Sequence, residues 1–484
     1  MELSIKQKAA YGIGAVGKDL VYGLSASFVM YFYNEVLGLS AAFIGLILLI
    51  ARVFDAANDP LMGVIVGKTK TRWGRFRPWL FTGTVINAFV LFAMYAAPDQ
   101  ATAGEGTLMI YFSVTYILWG LTYTMMDIPF WAMIPAVTRT PEARENLSVI
   151  GRTCAGIGGA LITALTMMAV QFLGNGNEQE GFRWFALIIG VAFIIFETIT
   201  CIFFKENAKS KVNMETSSVK EMFSALFRND QAIAIVVSIV LFYLAWFVAT
   251  QMFLYYFKYD VGFAIPSDNP SATWKLNYTI FTTVGSIAQI LAMMLLYPAL
   301  RKKFSNPQIF TIVIIMSITA YAGLLACSLL KLTGILPLLC IFGAMAYMGN
   351  GMLGVLCTLF LANSVDYGQL KTGKREESMI FSMQTFVVKA GSGFASFMAG
   401  LGIDAAAIKS ASEAELAANA DAIVAQSAST VMTLDVIMCV PPIICLVLAL
   451  LWFKWRFTLT DERSREILEE LKAKGMLEDD ALVD

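Results

Sequence analysis

The sequence predicts an all-α polytopic membrane protein: twelve transmembrane helices in two pseudo-symmetric six-helix bundles, both termini cytoplasmic. Three observations carry this. Of 484 residues, 58% are hydrophobic and 15% charged, whereas soluble domains run at about 45–50% and about 25%. Apolar runs of about 20 residues, the length that crosses a hydrocarbon core, recur along the whole chain. The basic residues alternate between connections. With the N-terminus inside, 26 of the 35 Lys and Arg fall on inner segments, 5 on outer segments and 4 within spans, which is the bias of cytoplasmic loops.

The spans lie near residues 10–36, 41–66, 79–97, 107–136, 148–173, 183–204, 231–257, 276–299, 308–330, 335–362, 378–401 and 430–453. No leader with a cleavage site precedes the first of them. The basic, polar stretch Lys205–Asp230 is the longest inner connection, and it sets the expected organisation. Residues 1–204 form an N-terminal six-helix bundle, 205–230 a cytoplasmic middle loop, 231–456 a C-terminal six-helix bundle and 457–484 a cytoplasmic tail. Internal symmetry is faint: a shift of 237 residues lays Arg152-x-x-Ala-Gly on Lys389-x-x-Ser-Gly, and a shift of 238 lays Pro60 on Pro298. In the tail, Thr460–Lys474 reads as a charged helix with Ile467, Leu468 and Leu471 on one face, either solvated or docked near the inner gate. The outer segment Asp404–Ser429 reads as an Ala-rich surface helix.

Several chemistries are excluded. The chain has no histidine, so histidine-ligated metals and histidine proton relays are ruled out. Its seven cysteines form no C-x-x-C pair and serve as small hydrophobes. A net charge of −1 gives no footprint for nucleic acid. No Ser/His/Asp set supports catalysis, and no appended soluble domain supports sensing.

What stands out is charge inside the spans: Lys18, Asp19, Arg52, Asp55, Asp59, Asp127, Arg152 and Lys389. Each costs about 2.5–3.5 kcal/mol at bilayer centre even on the lenient scale. Counted from the cytoplasmic ends at 1.5 Å per residue, all of them but Arg52 lie roughly 10–17 Å deep, on five helices drawn from both halves. Carriers with two related halves bind their cargo at that level.

Asp55 and Asp59 are four residues apart on one helical face, with Asn58 beside them and Arg52 one turn before Asp55. Two carboxylates and an amide oxygen make a hard, oxygen-only cluster suited to a small hard cation. The expectation is a Na⁺-type site at Asp55, Asn58 and Asp59, or a proton held by the same pair. Thr124, Asp127 and Trp131 share another face. A carboxylate beside an indole suits a sugar: the acid accepts paired hydroxyls and the ring covers the C–H face. Arg152 and Lys389 precede Gly-rich faces and can bind substrate oxygens or pair with Asp19 and Asp127. The inner loop Gly67–Pro78 carries Arg72, Arg75 and Arg77, expected to clamp acidic helix ends such as Glu142 and Asp366 and, with Arg52, to gate the inner side.

These segments resemble the glycoside–pentoside–hexuronide:cation symporters of the major facilitator superfamily, especially melibiose-permease-like members. The match covers nearly the whole chain. It runs through Tyr11-Gly12-x-Gly14-x-x-Gly17-Lys18-Asp19, Ala51-Arg52-Val53-Phe54-Asp55-Ala56-x-Asn58-Asp59-Pro60-x-Met62-Gly63, Arg72-Trp73-Gly74-Arg75-Phe76-Arg77-Pro78 and Met126-Asp127-Ile128-Pro129-Phe130-Trp131. It continues through Val365-Asp366-Tyr367-Gly368 and Ser382-x-Gln384-Thr385-x-Val387-Val388-Lys389-x-Gly391-Ser392. The resemblance implies that Asp55, Asn58, Asp59 and Thr124 bind the coupling cation, Na⁺ with Li⁺ or H⁺ as alternatives. It implies that Lys18, Asp19, Asp127, Trp131, Arg152 and Lys389 surround the sugar. The chain departs from the melibiose pattern at Ala26 and Gly354, where that pattern has a tyrosine and a tryptophan; Tyr22 can replace the first. An α-galactoside, a β-glycoside, a xyloside and a glucuronide therefore stay open. The implied protein is a monomeric symporter of the bacterial cytoplasmic membrane with no cofactor besides its coupling ion. The rival cargo for the same fold is a lysolipid or drug.

Overall fold

In the computed structural model, residues 4–137, 141–204, 224, 226–267, 269–373, 377–409 and 423–474 are described. Most of the expected middle loop 205–230, Arg139, Lys374, Arg375, residues 410–422 of the outer segment and the side chains of Glu142 and Arg144 lie outside the described residues. The described residues are helical, with no strand among them. Among the described residues, thirteen helices have eight residues or more. They are α1 Ile5–Tyr31, α2 Ala41–Lys68, α3 Arg77–Tyr95, α4 Glu105–Val137, α5 Pro141–Gly174, α6 Glu178–Phe203 and α7 Asp230–Tyr256. They continue with α8 Pro270–Leu291, α9 Asn306–Leu329, α10 Leu336–Thr372, α11 Glu377–Ala406, α12 Ala428–Arg456 and α13 Asp461–Ala473. Among the described residues, ten stretches, from α3 to α12, are long and apolar enough to cross a membrane. The other two long helices, α1 and α2, have 27 and 28 residues and carry Lys18, Asp19, Arg52, Asp55 and Asp59.

Local chemistry sets the helix starts. Ser4 accepts the Gln7 N–H and its own N–H donates to the Gln7 side chain, a capping box that satisfies two orphan donors of α1. Ser40 accepts the Phe43 N–H at the head of α2, Asn177 the Glu180 N–H at α6 and Thr460 the Arg463 N–H at α13. Gly373, at φ +73°, ends α10 in the left-handed conformation that glycine adopts without strain. Helix α4 continues unbroken through Pro129.

The chain forms two compact units. The first holds residues 1–216, 253–283 and 396–434. In it α1 packs on α5 and α6, α3 on α4 and α6, and α2 on α4. Polar side chains tie these helices together where lipid offers no competing water. The Asn87 amide donates to the Trp119 carbonyl and the Thr122 hydroxyl, both at 2.9 Å, and Tyr95 donates to the Leu24 carbonyl at 2.8 Å.

The second unit holds residues 217–252, 284–395 and 435–484. Helix α9 packs along α10, and α13 packs on α10. Phe310, Phe453 and Phe457 stack in series, with ring centroids 4.1 and 4.7 Å apart. Asp461 pairs with Arg301 at 2.7 Å, Ile467 and Leu471 are buried and Leu468 is half-buried. The tail helix is therefore docked, on the face that its apolar residues mark.

Candidate functional site

The charged residues of α1 and α4 meet inside the first unit. Lys18 Nζ lies 2.9 Å from Asp127 Oδ1 and 3.0 Å from Asp19 Oδ2, and it donates to the Tyr123 hydroxyl at 3.3 Å. One cation thus balances two carboxylates. Lys18 is buried, while the Asp19 and Asp127 side chains keep 22% and 25% exposure, so the acceptors face outward from a dry anchor. Asp127 also accepts the Trp131 indole N–H at 3.1 Å, an i, i+4 contact along α4 that fixes the ring beside the carboxylate. Arg152 reaches over the other side, its guanidinium carbon 4.7 Å from the Trp131 ring centre, a stacking geometry that favours arginine. Arg152 is itself exposed. Carboxylates, guanidinium and indole then share one wall, able to accept hydroxyls, donate to ring and glycosidic oxygens, and cover an apolar sugar face.

Behind this wall runs a ladder of rings. Tyr116, Trp119 and Tyr123 stack along α4 with centroids 5.7 and 5.3 Å apart, and Tyr22 of α1 lies 5.4 Å from Tyr123. Tyr22 is also 5.7 Å below the Arg52 guanidinium. It links the two charged sets.

The second set lies on α2 against α4. Arg52 pairs with Asp55 Oδ2 at 3.1 Å, both side chains buried. Asp55 Oδ1 is buried with no hydrogen-bond partner, as is the Asn58 amide nitrogen. Thr124 donates to Asp59 Oδ1 at 3.2 Å. A Cβ at Gly120 would stand 2.9 Å from Asp55 Oδ1; only glycine lets α4 approach the carboxylate this closely. An orphaned buried acceptor costs about 1–3 kcal/mol, and oxygens gathered around such an atom are what a bare cation seeks. Among the described residues no trio of Cys, Asp or Glu is arranged for a metal ion, so the group here is two carboxylates, an amide and a hydroxyl.

The inner-loop arginines sit in the same unit. Arg72 is exposed, Arg75 lies over Phe76 at 5.9 Å and Arg77 donates to the Trp73 carbonyl at 3.4 Å. Lys389 and Asp366 belong to the second unit, on α11 and α10. Both are half-buried, and the Ser392 hydroxyl donates to the Lys389 carbonyl at 2.7 Å.

Sequence reading did not anticipate a third polar set, at the far ends of these helices. Glu178 takes Lys275 at 2.8 Å and the Tyr31 hydroxyl at 2.8 Å. Glu35 takes Lys258 at 2.8 Å and the Tyr259 hydroxyl, and Tyr255 donates to Asn34 at 3.0 Å. The Lys275 side chain is fully buried. Nearby, Asp404 at the end of α11 caps the start of α2, accepting from Ala41 N at 2.9 Å, Ala42 N at 3.2 Å and the Ser40 hydroxyl at 2.6 Å. Residues 31–41 are thereby latched to 255–275 and 404. These charges sit at span ends, where they read as ordinary loop residues.

Comparison with known proteins follows the same line. A family model described as "MFS/sugar transport protein" matches residues 10–461. The chain is 25% identical to the inner membrane symporter YicJ of Escherichia coli K12, over 97% of this chain and 95% of that one. It is 26% identical to the lactose permease of Leuconostoc lactis, over 96% and 71%. In fold it is similar to the crystal structure of a D-xylose–proton symporter, with TM-score 0.61, 14% identity and coverage of 94% and 98%.

Proposed function

This chain belongs to the MFS/sugar transport protein family, a family of membrane transporters rather than enzymes, and we propose that it is a cation-coupled glycoside symporter of the bacterial cytoplasmic membrane. Na⁺ is the coupling ion in this reading. The observation that carries it is the orphaned Asp55 Oδ1 beside Asn58, Asp59 and Thr124, one turn along α4 from the Asp127–Lys18–Trp131 wall.

The mechanism follows from that spacing. Thr124 and Asp127 are three residues apart, so they lie on the same side of α4. A cation bound by Asp55, Asn58 and Asp59 draws Thr124 toward α2 and fixes α4 in rotation and height. That places Asp127 and Trp131 for the sugar. Asp19 and Asp127 accept its hydroxyls while Lys18 holds both carboxylates in place, and Arg152 donates to its oxygens. Trp131 covers its C–H face. Alternating access then comes from two related halves rocking about the cargo, with Lys389 as a further sugar contact and Arg52, Arg72, Arg75, Arg77 and Asp366 as gating residues. The disaccharide named for the lactose permease relative supports a glycoside cargo, and the charged, polar wall disfavours a lysolipid.

The test is counterflow in proteoliposomes with a panel of glycosides, with and without Na⁺. A glycoside should exchange, and Na⁺ should stimulate the exchange. Asp59→Cys should abolish that stimulation while the protein accumulates normally. Stimulation that survives the change would remove the cation from this site.

A further inference from the structure

Glu197 is a buried acid that the transport mechanism leaves unused. It lies in α6, six residues before the end of a span running from Glu178 to Phe203. Helix α6 buries one stripe of residues, among them Ile189, Phe193, Glu197 and Thr200, so the carboxyl occupies a core position on an apolar face. Its exposure is zero, and neither oxygen has a hydrogen-bond partner.

Its surroundings are closely packed. A Cβ at Gly14 of α1 would meet Glu197 Oε2 at 3.0 Å and the Phe130 ring of α4 at 3.2 Å. One turn on, Thr200 donates to the Ala10 carbonyl at 2.9 Å, which clamps α6 to α1 and leaves that hydroxyl committed. The charged groups that act on Glu197 are Lys18 and Asp19 from α1 and Asp127 from α4. Tyr11 of α1 and Cys201 on its own helix also feel it. From the other two packed helices, Arg152 of α5 acts on Tyr11, Cys154 of α5 faces Gly12 and the Arg77 backbone carbonyl of α3 accepts from the Cys201 thiol.

An ionised carboxylate here would have no hydrogen-bond donor and no ion pair of its own among the described residues. Burying such a charge costs far more than protonating it, and an unpaired acid inside a membrane span marks function more often than packing. We propose that Glu197 is a proton-binding site beneath the sugar wall, carrying its proton while Lys18 remains committed to Asp19 and Asp127. When the O–H bond breaks and the proton passes to the aqueous phase, a third carboxylate competes for Lys18. Asp127 is then released from its anchor and sugar affinity falls. The site binds H⁺ and is separate from the Asp55–Asp59 cation set. Its effect on sugar rests on the reading of Lys18, Asp19 and Asp127 as the sugar wall.

The sign is fixed. Sugar binding is intact while Glu197 is protonated and is lost as pH rises through its ionisation, so the signature is an alkaline limb. The experiment compares wild type with Glu197→Gln in proteoliposomes. Infrared spectroscopy reads the C=O stretch of protonated carboxyls at neutral pH, and sugar binding is followed from about pH 6 to about pH 10. The wild type should show a protonated-carboxyl band that Glu197→Gln lacks, and the variant's alkaline limb should move up by at least about one pH unit or vanish. An unchanged band or an unchanged limb overturns the proposal. So does failure of both Glu197→Gln and Glu197→Met to accumulate while Glu197→Asp accumulates, because the position would then require a charge. Should wild type bind no glycoside of the panel, the transport reading fails, while the infrared band still decides the protonation of Glu197.

Discussion

Lys18 holds two carboxylates with one ammonium at contacts of 2.9 and 3.0 Å. Removing one partner of a buried ion pair costs about 3–5 kcal/mol, because the remaining charge is stranded; Lys18→Ala strands two. Gly120 is the subtler residue. An alanine methyl there must displace the Asp55 carboxylate, its Oδ1 only 2.9 Å away. Gly120→Ala is expected to weaken Na⁺ activation of transport by about tenfold, about 1.4 kcal/mol, with sugar affinity at saturating Na⁺ nearly unchanged; Na⁺ titration of counterflow checks it. The same physical rule explains which residues could be read in advance. A charge in an apolar run is visible without coordinates, so Lys18, Asp19, Asp55, Asp59 and Asp127 were legible. Glu197 gives the same signal inside the span 183–204, but it stands alone there, so no second charge in its run points to a shared site. Tyr123 and the ring ladder were not legible, since tyrosine in a span is ordinary packing until a neighbour's ammonium is located.

Among elements, the long helices were legible, because length and apolarity are properties of the run itself, but several of their ends were not: α10 runs to Thr372 where 362 was expected, α8 starts at Pro270 where 276 was expected and α5 at Pro141 where 148 was expected. The connections between helices were not legible either. Glu35, Glu178, Lys258 and Lys275 sit at span ends, where charge is expected anyway, and only folding brings residues more than 200 apart in sequence into one buried network. That network makes a clear prediction. Lys275→Met should destabilise the purified protein by about 3–5 kcal/mol, and adding Glu178→Gln should recover part of the loss, since the stranded carboxylate is what costs most. Thermal unfolding of the three variants in one detergent reads this out. The Asp404 cap is a second case. Asp404→Ala removes an anion from the α2 N-terminus together with three hydrogen bonds, and the expected loss is about 1–2 kcal/mol, visible as a lowered Tm.

For the whole molecule, coupling between cation and sugar is a shared free energy. If Na⁺ raises sugar affinity by some factor, sugar must raise Na⁺ affinity by the same factor. Calorimetric titration in both orders should return one number for wild type, and that number should fall toward one in Thr124→Val, which keeps the shape and loses the contact to Asp59. The cap at the head of α2 also has a mechanical meaning. Helix α2 is pinned at Ala41 by Asp404, and Asp59 lies 18 residues further along the rod, about 27 Å at 1.5 Å per residue. A hinge at one end turns tilt into travel. Each degree of swing about that pin carries Asp59 roughly half an ångström, so a few degrees are enough to bring its carboxylate into or out of reach of an alkali ion.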